Sequence, residues 1–281
     1  MQTVHITMAL TEKKIGFIGT GKMGSAIIHG LTASNLIESS NIYASDIDEM
    51  ALERIADKYG ITPCTDNNEV VDRSDVIILA VKPQILDTVL LSIKNHVHAR
   101  HLVTSIAAGT PIQFIAKHLP AGTKIIRVMP NITATVRAAP SALSIGSGVA
   151  QEDVQTAKHI FDSVGSTVIV PEDLMDAVTG LSGSGPAFVS VFIEAMTDAG
   201  VYCGLDRNTS LALAAQTVLG SAKMILETDI HPASLKDMVT SPAGTTIEGI
   251  RELEMNNVRA GVMKAVIAAV ERSKELGANN K

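Results

Sequence analysis

The stretch Lys13–Gly30, KKIGFIGTGKMGSAIIHG, restricts the possible folds more than any other part of the chain. A short apolar run, Ile15–Ile18, leads directly into Gly19, Gly21 and Gly24. A helical pattern of small and apolar residues follows, with Ala26, Ile27 and Leu31 on one side. Strand, tight glycine turn and helix start in the spacing G-x-G-x-x-G make the phosphate turn of a dinucleotide site. In such a turn Gly19 permits the sharp reversal, Gly21 lets the backbone approach a pyrophosphate, and Gly24 lets the helix pack close to the strand. The free N–H groups of the first helical turn then face the phosphates. A nucleotide-hydrolase loop, Gly16-x-x-x-x-Gly21-Lys22, almost fits the same residues, but the next position is Met23, which has no hydroxyl for Mg²⁺. Gly16 also falls inside the strand, so that alternative is discarded.

The chain has 281 residues, of which 46% are hydrophobic and 19% charged, enough for two modest globular domains. A net charge of -6 argues against a nucleic-acid partner, which calls for a basic face. The longest clean apolar run, Val76–Val81, is far short of the ~20 residues of a membrane span, so no membrane partner is expected. Cys64 and Cys203 lie far apart in neither a metal nor a redox spacing, which favours a reducing compartment. The opening MQTVHITMALTE has no basic and long apolar signal regions; it is expected to be a loose tail, with Met8 as an alternative start, and the cytoplasm as location.

From Lys13 to about Val170 short β-branched runs alternate with helical segments. Asn41–Ser45, Val76–Val81, His101–Ile106 and Lys124–Met129 predict strands, and Asp48–Tyr59, Pro83–Lys94 and Pro111–His118 predict helices. This alternation predicts a parallel sheet covered on both faces. Ser141–Ile145, a helix over Gln151–Val164, and Thr167–Val170 extend the same sheet. Beyond Glu172 no strand is expected. Helices are predicted near Asp173–Leu181, Pro186–Cys203, Asn208–Glu227, Ser234–Thr240, Thr246–Glu254 and Asn256–Leu276. Asn208–Glu227 and the last helix are apolar over more than one stripe. In a helical region of only ~110 residues that favours a subunit interface over a single crowded core. The chain thus divides into a tail, 1–12, a dinucleotide domain, 13–171, and a helical domain, 172–281.

Asp46 ends the second predicted strand, where a carboxylate accepts hydrogen bonds from an adenosine ribose 2′-OH and repels a 2′-phosphate. The competing role is the N-cap of the next helix, open equally to Asp46 and Asp48. His96, His98 and His101 have no carboxylate or cysteine at ligand spacing and are expected in a solvated loop; no metal site is predicted. Ser182-Gly183-Ser184-Gly185 lacks the spacing of a nucleophile elbow and is expected to be a small-residue turn before a helix opened by Pro186. In LKDMVTSPAGTTIEGI, 235–250, a helix ends at Ser241–Gly244 and another opens at two threonines. Backbone N–H groups there can bind a carboxylate, and Thr245 with Glu248 has the spacing of a capping box.

These pieces, in this order, resemble the pyrroline-5-carboxylate reductases: GFIGTGKMG at 16–24, AVKP at 80–83, SIAAG at 105–109, RVMPN at 127–131, DAVTGLSGSGPA at 176–187, GSAKM at 220–224 and LKDMVTSPAGTTIEG at 235–249. The resemblance covers nearly all of 13–276. It implies an α/β fold, a Rossmann-type dinucleotide-binding domain followed by an all-helical dimerisation domain. The implied activity is reduction of 1-pyrroline-5-carboxylate to L-proline with NADPH or NADH, the last step of proline biosynthesis. Ile18, Gly19, Thr20, Gly21, Lys22, Met23 and Gly24 would line the dinucleotide, with Asp46 and Asp48 near the adenosine ribose. Asn67 would contact the cofactor, Val81 and Lys82 would flank it, and Ala107 and Ala108 would lie beside the nicotinamide. Glu172 would be on the substrate side. Ser241, Gly244, Thr245 and Thr246 would hold the substrate carboxylate, with Thr246 near the ring nitrogen as the catalytic candidate. The family forms an intertwined homodimer, often assembled into a decamer, whose substrate site uses both subunits. Two residues depart from it. Asp46 stands where NADPH-using relatives commonly have a small residue, which leaves the cofactor preference open, and Ala243 stands where many have glycine. The alternatives are a β-hydroxyacid dehydrogenase, whose catalytic lysine is missing from Pro186–Cys203, and a non-catalytic dinucleotide sensor, which would not need the loop 241–246.

Overall fold

The computed structural model describes residue 10 and residues 12–278. Most of the expected tail, Met8 included, lies outside the described residues, but Leu10 is buried in the core beneath the sheet. The described residues form two compact units, one of those up to Gly183 together with those from Ala269 on, the other Ser184–Ala268.

The first unit is built on β1 (Ile15–Ile18), β2 (Ile42–Ser45), β3 (Thr62–Pro63), β4 (Val76–Leu79), β5 (Leu102–Ser105), β6 (Lys124–Met129), β7 (Ala139–Ile145) and β8 (Gly165–Ile169), in the order β3-β2-β1-β4-β5-β6-β7-β8. β1, β4 and β5 are buried along their whole length, as strands covered on both faces must be. Alternate residues feed two cores: Ile15, Phe17, Val76 and Ile78 join one, Ile18, Ile77 and Leu79 the other. The crossover helices are α1 (Lys22–Ala33), α2 (Glu49–Tyr59), α3 (Asn67–Arg73), α4 (Pro83–Ile93), α5 (Ile112–His118) and α6 (Gln151–Asp162). Strand order reverses at β1 and β4, and such a switch point opens a crevice at the C-terminal ends of the strands.

The sequence predicts a parallel sheet, but the observed sheet is mixed. β7 runs antiparallel to β6, with Val128 opposite Leu143. The segment between them holds only the 3₁₀ turn Ile132–Val136, too short for the crossover that parallel strands require. β3 and α3 are additions to the expected elements. In α3 only Val70 and Val71 are buried, so its apolar signal is small. Asp66 caps it by accepting from Glu69 N–H, while Glu69 Oε2 accepts from Thr65 N–H and hydroxyl.

The single helix expected over Asp173–Leu181 is three short pieces: a 3₁₀ turn Glu172–Leu174, α7 (Met175–Val178), and a π turn Thr179–Gly183. The Ser182 carbonyl is taken by Asn131 Nδ2 at 2.5 Å, which ties the widened turn to the segment after β6. Ser182–Gly183 therefore belongs to a π turn, and the next helix starts at Gly185.

The second unit holds α8 (Gly185–Tyr202), α9 (Arg207–Thr228), α10 (Pro232–Met238), α11 (Thr245–Met255) and the first part of α12 (Val258–Ala278). α8 and α9 form a hairpin, packed so tightly at Gly200 that an added Cβ would collide with the Ser210 side chain. Ser210 donates to the Thr197 carbonyl at 2.7 Å. In α9 only Ser210 and Ala214 are buried, and in α11 no residue is. Large apolar side chains such as Leu213, Leu219 and Leu226 are left exposed. By length and composition α9, 22 residues long with an 18-residue window of mean hydropathy 1.2, passes the test for a membrane-crossing helix. It holds no long clean apolar run, as the sequence indicates, because Gln, Thr, Ser and Lys interrupt it.

Candidate functional site

At the switch point a cleft of about 380 Å³ is lined by Ile18, Gly19, Gly21, Asp46, Asn67, Val81 and Lys82 of the expected dinucleotide residues, together with Ser45, Ile47, Ala80, Ile85 and Val89. The glycine loop is closed toward the sheet and open toward this cleft. Gly19 has a φ of 99°, and a Cβ on it would stand 2.7 Å from the Ala80 carbonyl oxygen; one on Gly24 would stand 2.5 Å from the carbonyl of Gly19. A Cβ on Gly21 would meet nothing within 4 Å. Gly21 is also the N-cap of α1 without a side-chain cap, so the helix presents its first N–H groups unscreened by any side chain. A loop with no spare room below and open space above suits a dinucleotide diphosphate.

Thr20 is buried and bonded to Asp46, Lys22 is exposed at the first position of α1, and Met23 packs against the core. The capping question is answered by Asp48, whose Oδ1 accepts from Ala51 N–H at 2.9 Å and so caps α2. Asp46 instead accepts from Thr20 N–H at 2.6 Å and the Thr20 hydroxyl at 2.9 Å on Oδ2, and from Asp48 N–H at 3.1 Å on Oδ1. Asn67 accepts from Ser45 Oγ at 2.8 Å through its carbonyl oxygen, which leaves its amide N–H groups for the cleft. Ala107 and Ala108 follow β5 at the same C-terminal edge of the sheet, Ala107 buried and Ala108 exposed.

Glu172 lies outside this cleft. Its Oε1 accepts from Ile112 N–H at 2.7 Å, at the start of α5, and from Arg127 of β6 at 3.3 Å. Arg127 is buried, so the pair neutralises a cation in the core. This partnership was missed because Arg127 reads as one residue in a strand run.

The loop between α10 and α11 is a tight turn. Gly244 N–H donates to the Ser241 carbonyl at 3.1 Å, Pro242 occupies the second position, and Ala243 the third with a φ of 57°. These are the marks of a type II turn, which favours glycine at the third position. Gly244, not Thr245, is the N-cap of α11, and it makes no side-chain cap bond. The expected capping box is thus absent: Glu248 pairs instead with Arg251 at 3.3 Å. Ser241 and Thr245 are exposed and Thr246 is half-buried at the second helical position.

The expected solvated histidine loop is also corrected. His96 meets Asp72 at 2.9 Å, and His101 is fully buried, its Nδ1 accepting from His98 N–H while Nε2 has no partner.

Residues 14–109 match a family model described as NADP oxidoreductase coenzyme F420-dependent, and residues 172–276 match one described as pyrroline-5-carboxylate reductase dimerisation. A pyrroline-5-carboxylate reductase of Methanosarcina acetivorans is 55% identical over 268 residues, 95% of this chain and 99% of that protein. A solved pyrroline-5-carboxylate reductase from Coxiella burnetii is 36% identical with a TM-score of 0.90, covering 94% of this chain and 98% of that one. One from Plasmodium falciparum, solved with NADP bound, is 35% identical with a TM-score of 0.84, covering 95% and 99%. Identity at this level over nearly the full length of both chains, with the glycine loop and the 241–246 turn in place, means that the chain belongs to the pyrroline-5-carboxylate reductase family.

Proposed function

We propose that this chain reduces 1-pyrroline-5-carboxylate to L-proline with NAD(P)H, the last step of proline biosynthesis. The observation that carries the proposal is the pairing, in one chain 55% identical to a reductase of that name, of a dinucleotide cleft with a helix start free of any side-chain cap. The bound dinucleotide supplies the hydride. Ile18, Gly19, Thr20, Gly21, Lys22, Met23 and Gly24 form the turn that holds its diphosphate. Asp46 and Asp48 serve the ribose end, and Asn67, Val81, Lys82, Ala107 and Ala108 the remaining contacts. The α11 N–H groups, helped by Ser241, Gly244 and Thr245, take the substrate carboxylate, and the Thr246 hydroxyl orients the ring nitrogen as it becomes an amine. Glu172 supports the substrate side by holding the start of α5. The division of labour falls at 171/172, between dinucleotide and helical parts.

The exposed apolar side chains of α8, α9 and α11 support a homo-oligomer: a homodimer, and by family resemblance a decamer. Two free cysteines support a reducing location, the cytoplasm. The test is spectrophotometric: oxidation of NADH and of NADPH, each with and without pyrroline-5-carboxylate. Substrate-dependent oxidation is expected. Dinucleotide binding without turnover would point to a sensor, and turnover of a hydroxyacid alone to a dehydrogenase.

A further inference from the structure

The turn after β2 reads Asp46-Ile47-Asp48-Glu49, three carboxylates in four residues. Asp46 and Ile47 form the wall of the cleft on this side. Among the lining residues the one cation is Lys82, which follows β4, and β4 lies across β1 from β2. A dinucleotide with a free 2′-OH donates a hydrogen bond to a carboxylate here, whereas a 2′-phosphate brings about two negative charges and calls for a cation.

A carboxylate on a mobile side chain can turn away and let the phosphate in. Asp46 is held by three hydrogen bonds, two of them from Thr20 inside the glycine loop, and Thr20 is itself buried. Swinging Asp46 aside would strip the buried Thr20 N–H of its acceptor, in the loop that must cradle the diphosphate. With three of roughly four lone-pair directions filled, the carboxylate keeps one for a ribose hydroxyl. We propose that Thr20 acts as a positioning residue which clamps Asp46 and thereby makes this enzyme select NADH over NADPH. The inference rests on the reductase reading above and adds its choice of cofactor.

The test measures dissociation constants of the full-length protein for NADH and NADPH by nicotinamide fluorescence. NADH is expected to bind tighter by about tenfold or more. Asp46→Ser should bring the two to within about threefold of each other, and Thr20→Val, which keeps the side-chain shape and loses the hydroxyl, should shrink the ratio by about threefold. Thr20→Ser, which restores the hydroxyl, should restore the ratio. A role for Thr20 in loop structure alone would weaken both cofactors equally and leave the ratio unmoved, which would overturn the clamp. Equal or tighter binding of NADPH by the unaltered protein, a result independent of how any variant folds, would overturn the preference while leaving the reductase reading intact. Binding of neither dinucleotide would overturn both.

Discussion

Thr246 is half-buried at the second position of α11, a helix whose N-cap, Gly244, makes no side-chain cap bond. A threonine hydroxyl is a poor acid, so in the proposed reaction it would orient the ring and stabilise the developing amine. Thr246→Ala is expected to lower kcat/KM by roughly tenfold or more, about 1.4 kcal/mol or above, without loss of fold. Steady-state kinetics check this, and unchanged kinetics would remove Thr246 from the mechanism. Three residues earlier, Ala243 holds a φ of 57°, where its methyl group crowds the following carbonyl. Ala243→Gly should relieve that strain and, after the added freedom of the unfolded chain is subtracted, stabilise the protein by about 0.5–1 kcal/mol. Urea unfolding at one protein concentration measures it; a less stable glycine variant would refute the strain. The sequence marks Ala243 as a departure from the family, but a φ is set by the chain on both sides of a residue and has no signature in its identity. Asp46 is similar. Its place at a strand end is legible, while its bond to Thr20, 26 positions away, exists only once β1 and β2 lie side by side.

At the scale of elements, legibility followed burial. Lys124–Met129 was located to the residue because its apolar run and its hydrogen-bonded length coincide. α3 was missed because two buried valines in a polar segment leave no helical stripe. The direction of β7 was missed because strand direction depends on the connection and not on the strand's own residues. The start of β5 shows another limit. A histidine at a strand end reads as polar, yet His101 is buried, and burial, followed by the positive charge of Arg100, lowers its pKa to about 4 from the usual 6.5. The folded protein therefore binds this proton more weakly than the unfolded chain does. The stabilisation is complete above about pH 6.5 and is lost as pH falls toward 4. Between pH 7 and 5 this one group should account for roughly 2 kcal/mol of lost stability. Comparing the pH dependence of unfolding for the unaltered protein and His101→Gln tests it: the variant should lose less stability over that interval, and equal slopes would exclude His101 as the source.

For the whole molecule, the deciding fact is that the second unit covers little of its own apolar surface. Val191, Leu213, Leu219, Leu226 and Met255 are all more than half exposed, on helices whose described residues bury only Thr197, Ser210 and Ala214. Two kinds of cover are open to such a surface, lipid or protein, and among the described residues one helix, α9, meets the length and hydropathy of a membrane span. Lipid is disfavoured by the distribution of charge. Arg251, Glu248, Glu252 and Glu254 lie on α11, and Lys223 and Glu227 pair on α9 itself, so the apolar side chains share their helices with ionised ones. A second copy of the same helices offers apolar stripes flanked by charges, as obligate interfaces do. The protein should therefore stay in solution without detergent and run as a dimer or larger by light scattering at micromolar concentration. Its unfolding midpoint should rise with protein concentration, because assembly then contributes to stability by mass action. A monomer under these conditions, or a midpoint indifferent to concentration, would mean that the helical unit is stable with its apolar faces in water, contrary to the area they expose.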